Sequence, residues 1–280
     1  MTKRFGQNFL VNRGARRKIL AELGGTGGER VWEIGPGIGA MTAEALEAGL
    51  DVTAFEIDHG FSRLLARVFG GPAFEGRFRL IPGDFLDTWK AELAASGPPD
   101  FVFGNLPYNA AAAIIAALIE GGLLPRRLVF TVQREAALRM VAKPGGKDYS
   151  SFTVLCAAAC KVRLAFDLGA ASFWPQPRVT SSVVVMEPRG DPLEADDRRG
   201  FSRLVRSAFA SRRKTLRNNL KAAGHTEAAI DAALVALGLD PTVRAEVLSP
   251  ELLAALYRAL GGSAASPCAP GPQVPTMGQP

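Results

Sequence analysis

Between residues 30 and 133 the chain alternates short apolar runs with helical patterns, and this rhythm restricts the fold more than any other feature of the sequence. "RVWEIG" at 30–35 reads as a strand, and "AMTAEALEAG" at 40–49 as a helix closed by a glycine. "DVTAFEID" at 51–58, "FRLIPGD" at 78–84, "DFVFGN" at 100–105 and "RRLVFTVQ" at 126–133 are further strands. "GFSRLLARVF" and the alanine run 110–120 are helices between them. Strand and helix in this order predict an α/β fold, a parallel sheet with helices on both faces. Two later strands, near 161–168 and 181–187, flank a proline-rich loop and are placed to pair as an antiparallel hairpin at one edge. A basic amphipathic helix over 13–24, broken by Gly24-Gly25, precedes the sheet.

After Pro188 the character changes. "RGDPLEADD" is a polar linker, and from 199 to 260 the chain reads as helices only. A first domain over 1–188 and a smaller helical one over 198–260 are expected. The Gly/Pro/Ser-rich tail 261–280 lacks periodicity, and disorder is expected there. With 280 residues, 48% of them hydrophobic, the chain can bury a core. No apolar run reaches the ~18 residues of a membrane span. The first residues, MTKRFGQNFL, show no signal-peptide pattern, so a soluble, cytoplasmic protein is expected. Cys156 and Cys160, four apart among alanines, read as one buried helical face; Cys268 stands alone. With His59 and His225 the only histidines, no metal site is expected.

The net charge of +6 is unevenly spread. Residues 198–221 hold nine basic side chains and no acidic one, and residues 1–18 hold six and none. A solvated helix face usually mixes signs. Clusters of one sign flanking a balanced middle point to a polyanion, with nucleic acid the expected partner.

"EIGPGIGA" at 33–40 follows the first strand and opens a helix. Gly35, Gly37 and Ala40 fit a dinucleotide fingerprint, and Glu56 ends the next strand, where an acid that grips a ribose would sit. The pattern fits a nicotinamide or flavin enzyme and equally an S-adenosylmethionine enzyme. Two features favour the second. Glu33, just ahead of the glycines, would repel a pyrophosphate but not a cationic sulfonium with its amino group. In "GDFL" at 83–86, Asp84 can accept from an adenine amine, with Phe85 as an apolar neighbour.

"GNLPYN" at 104–109 ends the fourth strand of the series. An amine conjugated to a ring is a poor nucleophile, because its lone pair is delocalised. The Asn105 carbonyl and a backbone carbonyl, both accepting from that amine, would favour a pyramidal nitrogen aimed at an electrophilic methyl. Pro107 fixes the backbone, and Tyr108 offers a face on which a flat base can stack.

Seven stretches then stand in one order: "KRFGQNFL" at 3–10, "EIGPGIGA", "FEID", "GDFL", "GNLPYN", "FWPQPRVTSSVV" at 173–184 and "AFASRRKTLRNNL" at 208–220. The chain resembles the small-subunit ribosomal RNA adenine-N6 dimethyltransferase family (the KsgA type) from residue 3 to about 260. The resemblance implies a class I S-adenosylmethionine-dependent methyltransferase fold, a Rossmann-like seven-stranded sheet with a small C-terminal helical domain. It implies dimethylation of two adjacent adenosines near the 3′ end of small-subunit rRNA, on an immature small subunit. A monomer is expected, because that partner is a large particle. The resemblance also implies residue roles. Asn8 and Leu10 would lie over the cofactor, Gly35 against its methionine part, Glu56 on its ribose and Asp84 on its adenine. Asn105 would touch cofactor and target amine, while Leu106 and Tyr108 complete the target pocket. Phe173 would stack on the flipped base. Apart from the resemblance, the basic cluster predicts that Arg212, Arg213, Lys214 and Arg217 meet rRNA phosphates. Flipping an adenine out of a helix costs a few kcal/mol, and stacking returns about 1–3 kcal/mol per contact.

The chain departs from the family pattern at three places: Asn12 where an aspartate is commoner, "NAAAA" after the catalytic motif, and no glycine-arginine after Tyr149. The second leaves the helix over 110–120 without a hydroxyl cap, and the third removes a contact that RNA could use. The antibiotic-resistance branch, which acts on large-subunit rRNA, shares most motifs; "NLPYN" and "RRKTLRN" favour the small-subunit type. An assembly factor with secondary catalysis is a further alternative. A nicotinamide oxidoreductase would need an acid or base for hydride transfer, and neither histidine sits at a strand end facing the crevice.

Overall fold

The computed structural model describes residues 8–190 and 195–262. Strand β1 (Phe9–Leu10) and helix α1 (Arg13–Leu23) come first. Asn12 is the N-cap of α1, its side chain accepting from the Ala15 amide at 2.9 Å, and Gly24 closes the helix in a left-handed conformation. The expected alternation follows: β2 (Arg30–Ile34), α2 (Ala40–Glu47), β3 (Asp51–Glu56), α3 (His59–Phe69), β4 (Phe78–Pro82), α4 (Phe85–Ser96), β5 (Phe101–Asn105), α5 (Ala111–Glu120) and β6 (Arg127–Gln133). Helix α5 begins at Ala110 with no side-chain cap, as the alanine run implies. Two helices, α6 (Arg134–Met140) and α7 (Ser151–Ala159), then lead to β7 (Cys160–Leu168), β8 (Phe173–Trp174) and β9 (Ser181–Pro188).

The seven-stranded sheet runs β4-β3-β2-β5-β6-β9-β7. Its strands are parallel from β4 to β6, and β9 pairs antiparallel with both β6 and β7. The later strand of the expected hairpin is therefore interior, and the earlier one is the edge. The side chains explain the order. Val183, Val184, Val185 and Met186 of β9 form a continuous apolar run with no exposed surface, which suits a strand covered on both faces. In β7 Lys161, Arg163 and Asp167 are exposed, which suits an edge. One large core fills each face of the sheet, one around Phe55, Trp89 and Phe130, the other around Ile19, Phe103 and Val185.

Cys156 lies on α7 and Cys160 is the first residue of β7, and both are buried. The expected common helical face fails for Cys160, because the alternating "KVRLAF" after it is drawn into the sheet. Cys268 and the tail from 263 lie outside the described residues.

Helices α8 (Ala195–Ala208), α9 (Leu216–Ala222), α10 (Glu227–Ala236) and α11 (Pro250–Ala259) make up the C-terminal part. Their core, built on Phe201, Leu216, Leu234 and Leu256, takes in Tyr149 and Val154 from before the linker. Tyr149 Oη donates to the Leu248 carbonyl at 2.7 Å. The helical part is thus joined to the sheet through a shared core. Among the described residues no helix is long and apolar enough to cross a membrane.

Candidate active site

The carboxyl ends of β2 to β5 open into a cleft of about 320 Å³. This is the crevice where open α/β sheets bind ligands. Its floor is the turn after β2. Gly35 has φ 71°, and a Cβ built on it would find its nearest heavy atom 4.0 Å away, at the Asn105 carbonyl. The missing side chain therefore leaves bare backbone open to a ligand. At Gly37, φ 57°, a Cβ would lie 2.9 Å from the Phe9 ring, so glycine is what lets the β1 segment close over the turn.

Glu56, at the end of β3, lines the cleft. It accepts from the Gly37 amide at 2.9 Å and the Asp58 amide at 2.8 Å. Burial raises its pKa, and the two amides offset part of that rise. Asp84 also lines the cleft and is the N-cap of α4: Oδ1 accepts from the Leu86 amide at 2.8 Å. Its position at a helix start and its place in the cleft are compatible, since the second carboxylate oxygen remains for a ligand. Phe85 packs edge-on against Phe55 at 5.0 Å and walls the cleft beside it.

Glu33 is placed otherwise than expected. It does not line the cleft but is buried behind the glycine turn, where the Thr42 hydroxyl donates to it at 2.5 Å. Burial, aided by the nearby Glu56 charge, pushes its pKa up to about 8. At neutral pH it is mostly protonated, so charge repulsion from Glu33 is not what shapes ligand choice. Among the described residues the acids that reach the cleft are Glu56 and Asp84, and no basic side chain lines it.

Asn105 ends β5 on the far wall. Its Nδ2 donates to the Asn8 carbonyl at 2.7 Å. That bond orients the amide and leaves Oδ1 free to accept. Leu106, Pro107 and Tyr108 complete this wall. Tyr108 Oη is 2.7 Å from Ser181 Oγ, and burial raises its pKa, so the phenol stays neutral.

Two other residues also depart from expectation. In β1 and β8, Phe9 lies opposite Trp174 and Leu10 opposite Phe173. Strand side chains alternate between faces. Leu10 and Phe173 therefore both point into the core, Phe173 with 2% of its surface exposed. Neither lines the cleft, and Phe173 has no face free for a base. Asn8 lines the cleft, and beside it Phe9 does so rather than Leu10. Sequence reasoning also missed Ile57. Its signal was an apolar residue directly after the strand-end acid, which in the structure is 40% exposed within the cleft lining.

The basic segment divides. Arg212 pairs with Glu246 at 3.0 Å and donates to the Lys147 carbonyl. Arg217 holds Asp231 at 2.7 Å and Glu227 at 2.8 Å. Arg213 and Lys214 are exposed and, among the described residues, meet no carboxylate.

A parallel sheet ending in an antiparallel pair, with its crevice at the strand ends, is the architecture of class I methyltransferases. Solved structures of that class match along most of the chain. A dimethyladenosine transferase from Plasmodium falciparum gives a TM-score of 0.74 at 24% identity, covering 90% of this chain and 98% of that one. The 23S rRNA methyltransferase ErmE gives 0.63 at 23% identity, covering 91% and 100%. These likenesses are of fold. A family model described as ribosomal RNA adenine dimethylase matches residues 1–260, and the chain belongs to that family of S-adenosylmethionine-dependent methyltransferases. A curated relative in Treponema denticola, ribosomal RNA small subunit methyltransferase A, is 42% identical over 253 residues, 89% of this chain and 86% of the relative.

Proposed function

We infer that this chain transfers methyl groups from S-adenosylmethionine to N6 of two adjacent adenosines near the 3′ end of 16S, small-subunit rRNA. The observation that carries the reading is the Asn105 amide, fixed through Nδ2 to the Asn8 carbonyl with Oδ1 left as an acceptor in the cleft. A target amine that donates to Oδ1 is held, and its lone pair is turned out of the ring plane. Pro107 restricts Leu106 to an extended backbone, which sets the direction of the second accepting carbonyl. Tyr108 supplies a face for the base. The neutral phenol is no base, and none is required, since an alkylated amine loses its proton readily. Rate comes from position and electrostatics.

The lining fits S-adenosylmethionine. Glu56 and Asp84 are acceptors for ribose and adenine donors, Ile57 and Phe85 are apolar walls, and the bare backbone at Gly35 admits the methionine part. When bound, S-adenosylmethionine supplies the electrophilic methyl. Arg213 and Lys214 are proposed as the phosphate contacts. The chain is proposed to work as a cytoplasmic monomer on the immature 30S particle, a partner large enough to supply the rest of the binding surface.

Labelled methyl transfer tests the reading. Small-subunit particles from cells lacking the modification are expected to gain dimethyladenosine, and protein-free large-subunit rRNA none. Label on the large-subunit RNA alone would move the chain to the antibiotic-resistance type. Label on neither, with cofactor bound, would refute RNA adenine methylation.

A further inference from the structure

The chain has three tryptophans. Trp32 and Trp89 are buried, whereas Trp174 is 56% exposed. Tryptophans are highly buried on average, so an indole in water beside a reactive cleft needs a reason. Its position is fixed from both sides. Trp174 lies opposite Phe9 in the antiparallel β1–β8 pair, and opposed residues share a face. On that face Phe9 lines the cleft. One residue back along the chain, the Asn8 carbonyl holds the Asn105 amide. The segment after Trp174 ends at the buried Ser181, whose hydroxyl meets the cleft residue Tyr108. Residues 174–180 therefore connect a residue paired with the cleft residue Phe9 to one bonded to the cleft residue Tyr108. Arg178, in the same segment, is exposed and among the described residues meets no carboxylate.

We propose that Trp174 is the stacking platform for the nucleobase next in the RNA chain to the adenosine being methylated, with Arg178 on the adjoining phosphate. This rests on the reading of the cleft as an RNA adenine methyltransferase site. An adenosine drawn out of its stack leaves a neighbour with one face uncovered. The indole offers that face a partner, and does so for any base, since every base has a π face. The platform thus favours unpaired RNA around the target over a duplex, whose bases are already stacked.

The fluorescence of the full chain tests it, because the other two indoles are shielded in the core. Titration with a single-stranded RNA hexamer containing adenines is expected to quench the emission accessible to iodide, and Trp174→Phe is expected to abolish that response. With unmodified small-subunit particles as acceptor, Trp174→Leu is expected to raise KM about tenfold, at unchanged affinity for S-adenosylmethionine. Trp174→Phe is expected to recover most of that loss. Quenching that persists in Trp174→Phe, or a wild-type KM in Trp174→Leu, overturns the proposal and leaves the methyltransferase reading standing. Equal loss of cofactor affinity in both variants makes Trp174 part of the cleft framework and overturns it too. A wild-type chain that binds cofactor but methylates no RNA overturns the reading and the proposal together.

Discussion

Asn105 and Glu33 are polar side chains at the ends of neighbouring strands, and their surroundings give them opposite tasks. The Asn105 amide reaches the cleft and is oriented by one backbone carbonyl. Asn105→Ala removes the acceptor without disturbing the buried strand before it. Turnover is expected to fall at least ~10²-fold, the scale for losing one preorganised polar contact to the reacting group. RNA affinity is expected to stay within about threefold. Single-turnover transfer and a filter-binding titration separate the two, and equal loss of both would indicate a folding defect. Glu33 is shut away, and its folded-state pKa of about 8 lies above the ordinary 4.5. The folded chain therefore binds the extra proton, and stability is lost as pH rises from 4.5 to about 8. The loss is at most about 5 kcal/mol. Glu33→Gln keeps an acceptor for Thr42 and is expected to flatten this slope. Urea unfolding at pH 5 and pH 8 measures it, and a slope unchanged by the substitution would place the titration on another group.

Among the elements, the pairing of β1 with β8 and the joint at Tyr149 have the widest consequences. The β1–β8 pair brings the start of the chain across the glycine turn, so Asn8 and Phe9 become cleft residues although they lie far from it in sequence. Alternation within so short a pair sends Phe173 inward and Trp174 outward, and a sequence motif cannot show which of two adjacent aromatics takes which face. At the joint, the Tyr149 hydroxyl satisfies the Leu248 carbonyl inside the core shared by α7 and the C-terminal helices. Tyr149→Phe leaves that carbonyl unpaired and is expected to destabilise the chain by about 1–2 kcal/mol. Because the core is shared, sheet and helices should lose stability together. A single thermal transition, shifted downward, is the expected result, and separate transitions for the two parts would contradict the shared core.

At the scale of the whole molecule, charge is what folding rearranges most. Nine basic residues between 198 and 221 stand without an acid in the sequence. Folding brings Glu120 to Arg206, Glu246 to Arg212, Asp231 and Glu227 to Arg217, and Glu227 also to Lys221. Near the other end, Arg16 reaches Glu44 at 2.9 Å. Charges already paired release few counterions on RNA, so within residues 212–217 the salt dependence should rest on Arg213 and Lys214 rather than on Arg212 and Arg217. Replacing both with alanine is expected to lower the slope of log K against log salt by about 1.4–1.8, the value for two phosphate contacts. Arg217→Ala is expected to change the slope little, because its charge is already matched by two carboxylates. A slope changed more by Arg217→Ala than by the double variant would reverse the assignment.

The sequence by itself determined the alternating elements, the parallel sheet, the helical C-terminal part and the positions of Gly35, Glu56, Asp84 and Asn105 in one crevice. These follow from local periodicity and from the rule that loops at the carboxyl ends of parallel strands share one side. Only the tertiary structure decided that β9 lies inside β7, that Glu33 and Phe173 are buried, that Phe9 and Ile57 line the cleft, and that Arg206, Arg212, Arg217 and Lys221 meet carboxylates. Each of these depends on contacts between segments distant in the chain. Burial, strand order and ion pairing are properties of neighbours in space, and the order of residues along the chain leaves those neighbours unspecified.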